Sequence, residues 1–258
     1  NRTSPFAFTG NKFEFRAVGS TSTIAWPNTV LNTIIAESFD YLATRLEATL
    51  AGSTSEEQIE TAARSLLREV LKKHRRVVFD GDNYTEEWHK ESAARGLPNL
   101  KTTADALPAI TSQKALDLFS HYNVLSNREL SARGEVLTEQ YATVVTIEAR
   151  TLIMMLSTQV LPAGLRYQGE LADIVTSSRA NSVDCNRSSA RLGDVARLSE
   201  ALQASINELH NCIDADHENS IGHANFVRDK LIPAMDSARI VSDQLEELVP
   251  SDTWPLPT

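Results

Sequence analysis

Alternating charged and aromatic residues near the start of the chain have the types and spacing of a ligand site. Residues 12–16 read Lys-Phe-Glu-Phe-Arg, and a β-strand places every second side chain on the same face. Lys12, Glu14 and Arg16 would therefore share one face, while the two phenylalanines anchor the other face in a core. A carboxylate suits a hard divalent cation, and a guanidinium suits an anionic substrate or phosphate. A solvated sheet face with salt bridges between strands would show the same alternation, so the pattern leaves both interpretations open.

Other groups of polar and aromatic residues are interpreted as structural. The run Lys72 to Arg76 could bind nucleic acid or anionic lipid, but no aromatic residue interleaves it, which favours a cationic helix end. His210 and His217 are seven residues apart and would share a helix face, yet their spacing fits no common zinc pattern. Trp88 and Trp254 are expected to be packing anchors rather than ligand-stacking groups.

Composition excludes several classes of protein. Hydrophobic residues make up 41% and charged residues 23% of the 258 residues, which argues against a disordered chain or a fibre. The net charge of −9 argues against a general nucleic-acid binder. No uninterrupted apolar run approaches the roughly 18 residues that span a bilayer. The absence of a signal peptide, together with two cysteines that we interpret as free thiols, Cys185 and Cys212, predicts a cytoplasmic protein without membrane partners.

Hydrophobic periodicity predicts that most of the chain is helical. A first helix begins near Pro27 and stops at the Gly/Ser/Thr cluster 52–55, which is interpreted as a linker and the best domain boundary. Ser126 and Glu129 form a capping box that begins a central helix reaching about residue 180. Further helices are predicted from Ser55 to about Arg76, Thr85 to Gly96, 111–122, 188–214 and 222–249. Pro162 and Pro233 are expected to disrupt the helices that contain them. Met154 and Met155 are expected to fill the core. Residues 55–249 should form an antiparallel bundle around the central helix.

Several stretches resemble the type III form of glutamine synthetase. Asn-Arg-Thr-Ser at 1–4, Lys-Phe-Glu-Phe-Arg at 12–16 and Pro-Asn-Thr-Val-Leu-Asn-Thr-Ile at 27–34 are similar to the end of its catalytic domain. Four later stretches are similar to its C-terminal helical extension. They are Thr-Glu-Glu-Trp-His at 85–89, Gly-Leu-Pro-Asn-Leu at 96–100, Asp-Ala-Leu-Pro at 105–108, and Glu-Ala-Arg at 148–150 through Leu-Pro-Ala-Gly-Leu-Arg-Tyr-Gln at 161–168.

The resemblance implies a mainly α fold with two parts. Residues 1–52 would be the C-terminal end of a catalytic α+β barrel domain that contributes a short β-strand remnant, and residues 53–258 would be the helical extension. The family uses ATP and Mg2+ or Mn2+ to join ammonia to L-glutamate through a γ-glutamyl phosphate. Its members assemble as homo-oligomers, and two stacked hexameric rings are expected for the parent enzyme.

Motif positions also imply roles for individual residues. Glu14 matches the family's metal-binding glutamate, Arg16 the arginine that holds the substrate carboxylate, and Arg2 the catalytic arginine that faces the transferred phosphoryl group. Lys12 lies near the position of an ATP-contacting lysine without being in register with it, and Ala7 stands where shorter forms have a second arginine. The remaining ligands are expected upstream, so the chain is interpreted as a fragment that is inactive alone.

Two interpretations from other classes compete with the enzyme. A helical oligomerisation or interaction module without activity would use the same bundle and treat the first strand as scaffolding. A nucleic-acid binder would depend on the basic run Lys72 to Arg76, which the acidic composition disfavours.

Overall fold

The computed structural model describes residues 22–52, 55–79, 81–82 and 84–257. These residues form ten α-helices and no β-strand, and the strand predicted at residues 12–16 lies outside them. The helices are α1 Ala25–Leu50, α2 Glu56–His74, α3 Glu86–Ala94, α4 Thr103–Ala106, α5 Gln113–His121, α6 Asn127–Met155, α7 Leu161–Ala180, α8 Asn186–Ile213, α9 Ser220–Phe226 and α10 Ile232–Glu246. A mainly helical fold is therefore confirmed.

The chain divides into two compact units. Among the described residues, the first unit comprises those up to Leu97 together with Asp117–Val124. The second unit comprises Pro98–Leu116 and the residues from Leu125 onward. The predicted domain boundary between residues 52 and 53 concerns the division of the parent protein, and it stays a prediction.

Helices α1 and α2 form a hairpin in the first unit. The turn between them begins with Ala51 at φ 47° and Gly52 at φ 88°, a left-handed conformation that glycine adopts without strain. The Arg45 guanidinium donates two hydrogen bonds to the Glu69 carboxylate, at 3.2 and 2.9 Å, across the hairpin. No residue of α2 is buried. Ion pairing and partial apolar contact therefore hold this hairpin together, rather than a closed core.

Helices α6, α7, α8 and α10 build the core of the second unit. The capping box is present, because the Ser126 side chain accepts from the backbone of Glu129 and the Glu129 carboxylate accepts from Ser126. Helices α7 and α8 pack as an antiparallel pair across a short connection, and α10 packs along α8. The largest fully buried side chains of this core come from these helices and the turns between them: Leu156, Val160, Val195, Leu202, Leu209, Val227, Leu231 and Leu245.

A π-helical turn precedes each of the two prolines that were expected to disrupt a helix. Leu156–Val160 stands before Leu161-Pro162, and Val227–Leu231 stands before Ile232-Pro233. Proline lacks an N–H and its ring clashes with the carbonyl four residues earlier, so a widened turn lets the helix continue through it. Both turns point valine and leucine side chains into the core. The central helix accordingly runs without a break from Asn127 to Ala180.

The segment Asn127–Ala180 is long and apolar enough to cross a membrane by length and composition alone. An 18-residue window within it reaches a mean hydropathy of 1.3 with no more than two charged residues. The sequence-based prediction that no apolar run approaches the length of a membrane span did not identify this window. A core helix of a soluble protein passes the same test, so the property is weak evidence for a membrane span.

Candidate functional sites

The four residues predicted to act on metal and substrate lie outside the part of the chain that the structure describes. Arg2, Lys12, Glu14 and Arg16 all fall within residues 1–21. Their roles therefore stay predictions. Within the described ranges, no group of three histidine, cysteine, aspartate or glutamate side chains is placed to hold a metal ion.

An arginine and two aspartates connect a predicted motif to the second π-helical turn. The Arg228 guanidinium donates to both Asp229 carboxylate oxygens at 2.7 and 2.8 Å, and to Asp105 Oδ1 at 2.7 Å. The Thr102 hydroxyl caps α4 and donates to the other Asp105 oxygen at 2.6 Å. These contacts tie the Asp-Ala-Leu-Pro stretch at 105–108 to the turn Val227–Leu231.

The pKa shifts of the groups in this cluster are those of a structural ion-pair network. Hydrogen bonding from Thr102 and the charge of Arg228 lower the pKa of Asp105. Hydrogen bonding and charge from Arg228 also lower the pKa of Asp229. The same contacts raise the pKa of Arg228, which remains charged at every physiological pH. Because the guanidinium already contacts two carboxylates, it is not available to an incoming anion.

The Leu-Pro-Ala-Gly stretch at 161–164 allows close approach between helices. Ala163 and Gly164 are buried, and a β-carbon added at Gly164 would lie 3.1 Å from Ser199 Oγ of α8 and 3.6 Å from Leu245 of α10. The Ser199 hydroxyl is buried and has no hydrogen-bond partner among the described residues. These residues therefore serve packing at the junction of three helices.

The aromatic end of the same stretch secures the start of α8. The Arg191 guanidinium lies 5.9 Å from the centre of the Tyr167 ring. Arg191 Nη2 also donates to the Leu248 carbonyl at 2.7 Å, near the end of α10. Tyr167 and Arg191 thus connect α7, α8 and the C-terminal end of α10 through one contact chain.

Trp88 is a packing anchor, as predicted. Thr85 caps α3 by accepting from the Trp88 backbone N–H, and the Trp88 ring stacks on Phe79 at a centroid distance of 4.3 Å. Arg95 lies 5.4 Å from the Trp88 ring centre and donates to the Val78 carbonyl at 2.7 Å. The Thr-Glu-Glu-Trp-His stretch therefore organises the connection that follows α2.

The basic run occupies a helix end, also as predicted. Lys72, Lys73 and His74 form the last turn of α2, where positive charge complements the helix dipole. Arg75 and Arg76 continue into a 3-10 turn, and Arg95 donates to the Arg76 carbonyl at 3.1 Å. The side chains of residues 72–76 are all exposed, as expected of a solvated cationic helix end.

The histidines do not share a helix face, which corrects the sequence-based interpretation. Helix α8 ends at Ile213, so His210 is helical while His217 lies in the connection to α9. The His217 ring instead stacks on His223, with centroids 4.4 Å apart, and contacts Phe226 at 4.7 Å. Burial and the neighbouring His217 lower the pKa of His223. The arrangement is an aromatic stack that favours the neutral form of His223.

A groove of about 490 Å³ lies beside the first π-helical turn. Its floor is apolar and includes Leu156, Val160 and Met235. Its rim carries Asp236, Arg239, Asp243 and Glu246, and Arg239 Nε lies 3.5 Å from Asp243. Ser242 contributes a hydroxyl to the lining, and no histidine, cysteine or lysine is among the described residues that line the groove.

Similarity to known proteins covers the whole chain. Residues 62–179 match the family described as the glutamine synthetase C-terminal domain. The type-3 glutamine synthetase of Dictyostelium discoideum is 39% identical over 267 residues, covering 100% of this chain and 36% of that protein. The glutamine synthetase of Butyrivibrio fibrisolvens is 31% identical over 265 residues, covering 100% of this chain and 37% of the relative. That of Bacteroides fragilis is 27% identical over 266 residues, covering 100% of this chain and 36% of the relative.

Over residues 62–179 the helical region is similar to the glutamine synthetase C-terminal domain. The more specific resemblance to the type III form, expected from the motifs, is confirmed over the full length of the chain. The chain spans little more than a third of the length of these relatives. The stretches that carry the resemblance within the described residues are helix caps, helix junctions and the ties between them.

Proposed function

We propose that this chain is the C-terminal part of a type III glutamine synthetase, a ligase that makes glutamine from L-glutamate, ammonia and ATP. The observation that carries the proposal is similarity along the entire chain, residues 1–52 included, to proteins named glutamine synthetase. The packing roles of the motifs at 85–89, 105–108 and 161–168 support the proposal, because a non-catalytic extension needs such contacts.

In this proposal the first 52 residues contribute one edge of an active site. The Glu14 carboxylate would bind one divalent cation, Mg2+ or Mn2+, whose charge would stabilise the negative charge that accumulates on the phosphates. Arg16 would hold the carboxylate of the substrate glutamate, and Arg2 would contact the phosphoryl group in transfer. Lys12 is the candidate for contact with ATP. The other ligands would come from the remainder of the parent enzyme, so the chain alone would be inactive.

The helical extension would serve assembly of a cytoplasmic homo-oligomer, with a dodecamer of two hexameric rings as the expected form. The assembly role is supported by the described part of the extension, because its polar clusters are already engaged in ion pairs, helix caps and aromatic stacks. If deletion of residues 53–258 from the complete enzyme abolished metal binding and left the oligomer unchanged, the assembly role would be wrong.

Kinetics of the complete enzyme test the active-site assignment. We expect Glu14→Ala to weaken binding at one divalent-metal site and Arg16→Ala to raise the KM for glutamate. Glu60→Ala and Arg64→Ala are matched controls, because these residues form an exposed ion pair along α2 and should leave both quantities unchanged. Wild-type kinetics and metal binding in both test variants would contradict the proposal.

A helical interaction module without catalysis is the second candidate. It is favoured by one observation: the polar clusters of the described helices are engaged in helix caps, an ion-pair network and an aromatic stack. The coding sequence upstream of Asn1 separates the two candidates. A catalytic region rich in glutamate ligands supports the enzyme, and a true start at Asn1 supports the module.

A further inference from the structure

Between Val136 and Met154, one face of α6 is uncharged, exposed and regular in its spacing. Six of its positions follow each other at intervals of three or four residues, which places them on one side of a helix. They are Val136, Gln140, Thr143, Ile147, Thr151 and Met154, here named the α6 stripe. Val136, Ile147 and Met154 expose 60, 57 and 54% of their surface. The stripe runs for about 27 Å along the helix axis at 1.5 Å per residue.

The opposite side of α6 is the one that faces the core. Its buried residues include Leu130, Ala142, Ala149 and Ile153, all on the face turned away from the stripe. The exposure of Met154 corrects the expectation that it fills the core. Apolar surface of this extent on a helix whose other face is fully packed indicates an interaction surface.

The polar side chains of the α6 stripe can be buried at a lower free-energy cost than their residue types indicate. Thr151 Oγ1 donates to the Ile147 carbonyl at 3.0 Å, so this hydroxyl is already satisfied within the helix. Burying a hydroxyl that keeps its hydrogen bond costs far less than burying an unpaired one. Gln140 supplies a single larger polar group of the kind that fixes register between paired helices.

Two opposite charges border the stripe on the same edge. Glu139 and Arg150 are exposed, and neither makes an ion pair with another residue in the described ranges. Their midpoint along the helix falls between Val144 and Val145. The midpoint of Val136 and Met154, and that of Thr143 and Ile147, fall at Val145, half a residue away.

This symmetry identifies the occupant as a second copy of the chain. In an antiparallel pair of identical helices, each residue faces its mirror position on the other copy. Val136 of each copy would then pack on Met154 of the other, and Glu139 of each copy would face Arg150 of the other. Both contacts would therefore occur twice between the two helices. A parallel pair would instead bring Glu139 against Glu139 and Arg150 against Arg150, which is unfavourable.

We propose that the α6 stripe is a homotypic docking surface on which α6 of a second copy packs antiparallel. The inference rests on the proposed assembly role of the extension and names the surface that performs it. Two short helix faces bury less than the roughly 800 Å² per partner of a standard interface, so this contact is weak by itself and concentration-dependent.

Sedimentation equilibrium of the 258-residue chain provides the first test. The wild-type chain should associate reversibly, and Ile147→Asp should weaken association by about tenfold or more, because it buries a charge at the centre of the contact. Ile240→Asp is the matched control, since Ile240 is 58% exposed on α10 and lies away from the stripe. A monomeric wild-type chain, or equal loss in both variants, would overturn the proposal.

Cross-linking tests the orientation and the identity of the occupant. In a Cys185→Ser background, a short bismaleimide should link Val136→Cys chains to Met154→Cys chains in a mixture and should link neither variant to itself. Self-linking of either variant would overturn the antiparallel arrangement. In the complete enzyme, a link from Val136→Cys to another segment of its own chain would show that the rest of the chain covers the stripe, and the proposal would be wrong.

These outcomes are separable from the proposed catalytic function. Loss of association in Ile147→Asp with unchanged glutamine synthesis per active site would support the docking surface. Failure of the cross-linking test in a fully active enzyme would overturn the docking surface and leave the enzymatic proposal standing.

Discussion

Arg228 and Asp105 are 123 residues apart in the sequence and form an ion pair, with Nη1 2.7 Å from Oδ1. The pair joins the N-terminal end of α4 to the π-helical turn before α10. Since Asp229 binds the same guanidinium in a two-pronged arrangement, the arginine is held in one orientation from two sides. This tie fixes the Asp-Ala-Leu-Pro stretch against the core of the second unit.

Replacing Arg228 with glutamine should lower the melting temperature by a few degrees at neutral pH. The change leaves two neighbouring carboxylates without their shared cation, and both then repel each other. Arg228→Lys should recover only part of the loss, because a single ammonium cannot make the same forked contacts. Thermal unfolding followed by circular dichroism measures the effect. Equal melting temperatures for glutamine, lysine and arginine at this position would contradict the structural role.

Acid should remove the difference between wild type and Arg228→Gln. The folded-state pKa of Asp105 and of Asp229 lies below the ordinary value, so their stabilisation is present above the unfolded pKa and is lost as the pH falls through the folded pKa. The gap in melting temperature at pH 7 should therefore shrink below about pH 4, the ordinary range of an aspartate. A gap that stays constant would assign the effect to packing rather than charge.

Ser199→Ala should raise the free energy of unfolding by about 1 kcal/mol, because the buried hydroxyl has no hydrogen-bond partner. Gly164→Ala alone should be poorly tolerated, since its β-carbon would lie 3.1 Å from that hydroxyl oxygen. In the Ser199→Ala background, the next neighbour is Leu245 at 3.6 Å, an ordinary contact. Chemical denaturation of the two single variants and the double variant should reveal favourable coupling, and strict additivity would rule out this contact as the cause.

The helices could be predicted from the sequence where local chemistry determines them. Ser126 and Glu129 cap α6 through contacts within four residues, and Thr85 caps α3 in the same way. Both signals are visible in a single sequence because donor and acceptor lie in the same turn. The ion pair of Arg228 with Asp105 has no such local signal, because only the folded chain brings its members together.

Exposure and contacts beyond a helix end were harder to predict. Met154 belongs to a strongly apolar stretch, yet it is exposed because no element of the described chain packs against that side of α6. The predicted helix 188–214 ends within one residue of α8, but the seven-residue spacing of His210 and His217 was extended beyond that end. The candidate catalytic residues, Arg2, Lys12, Glu14 and Arg16, depend on a family resemblance, and their geometry lies outside the described ranges.

Trp254 should stabilise the C-terminal segment through the volume of its ring and not through its N–H group. The ring is only 6% exposed and joins the core cluster, while its buried indole nitrogen has no hydrogen-bond partner in the part of the chain that the structure describes. Trp254→Ala should therefore lower the free energy of unfolding by about 3–5 kcal/mol. Trp254→Phe should cost much less, because it keeps most of the apolar contact and loses no hydrogen bond. Equal losses measured by urea denaturation would show that the indole nitrogen has a partner after all.

The stack of His217 on His223 should make the second unit less stable in mild acid. Burial and the neighbouring ring lower the folded-state pKa of His223, so the unfolded chain takes up a proton at a higher pH than the folded chain does. The stabilisation is complete above the unfolded pKa of about 6.5 and is lost as the pH falls below it.

His223→Phe keeps an aromatic ring in the stack and removes this titration. Melting temperatures at pH 7.5 and 5.5 should therefore differ less in His223→Phe than in wild type. His210→Gln, at an exposed position on α8 outside the stack, should retain the wild-type dependence; if it flattened the dependence as much as His223→Phe, the stack would not be its source.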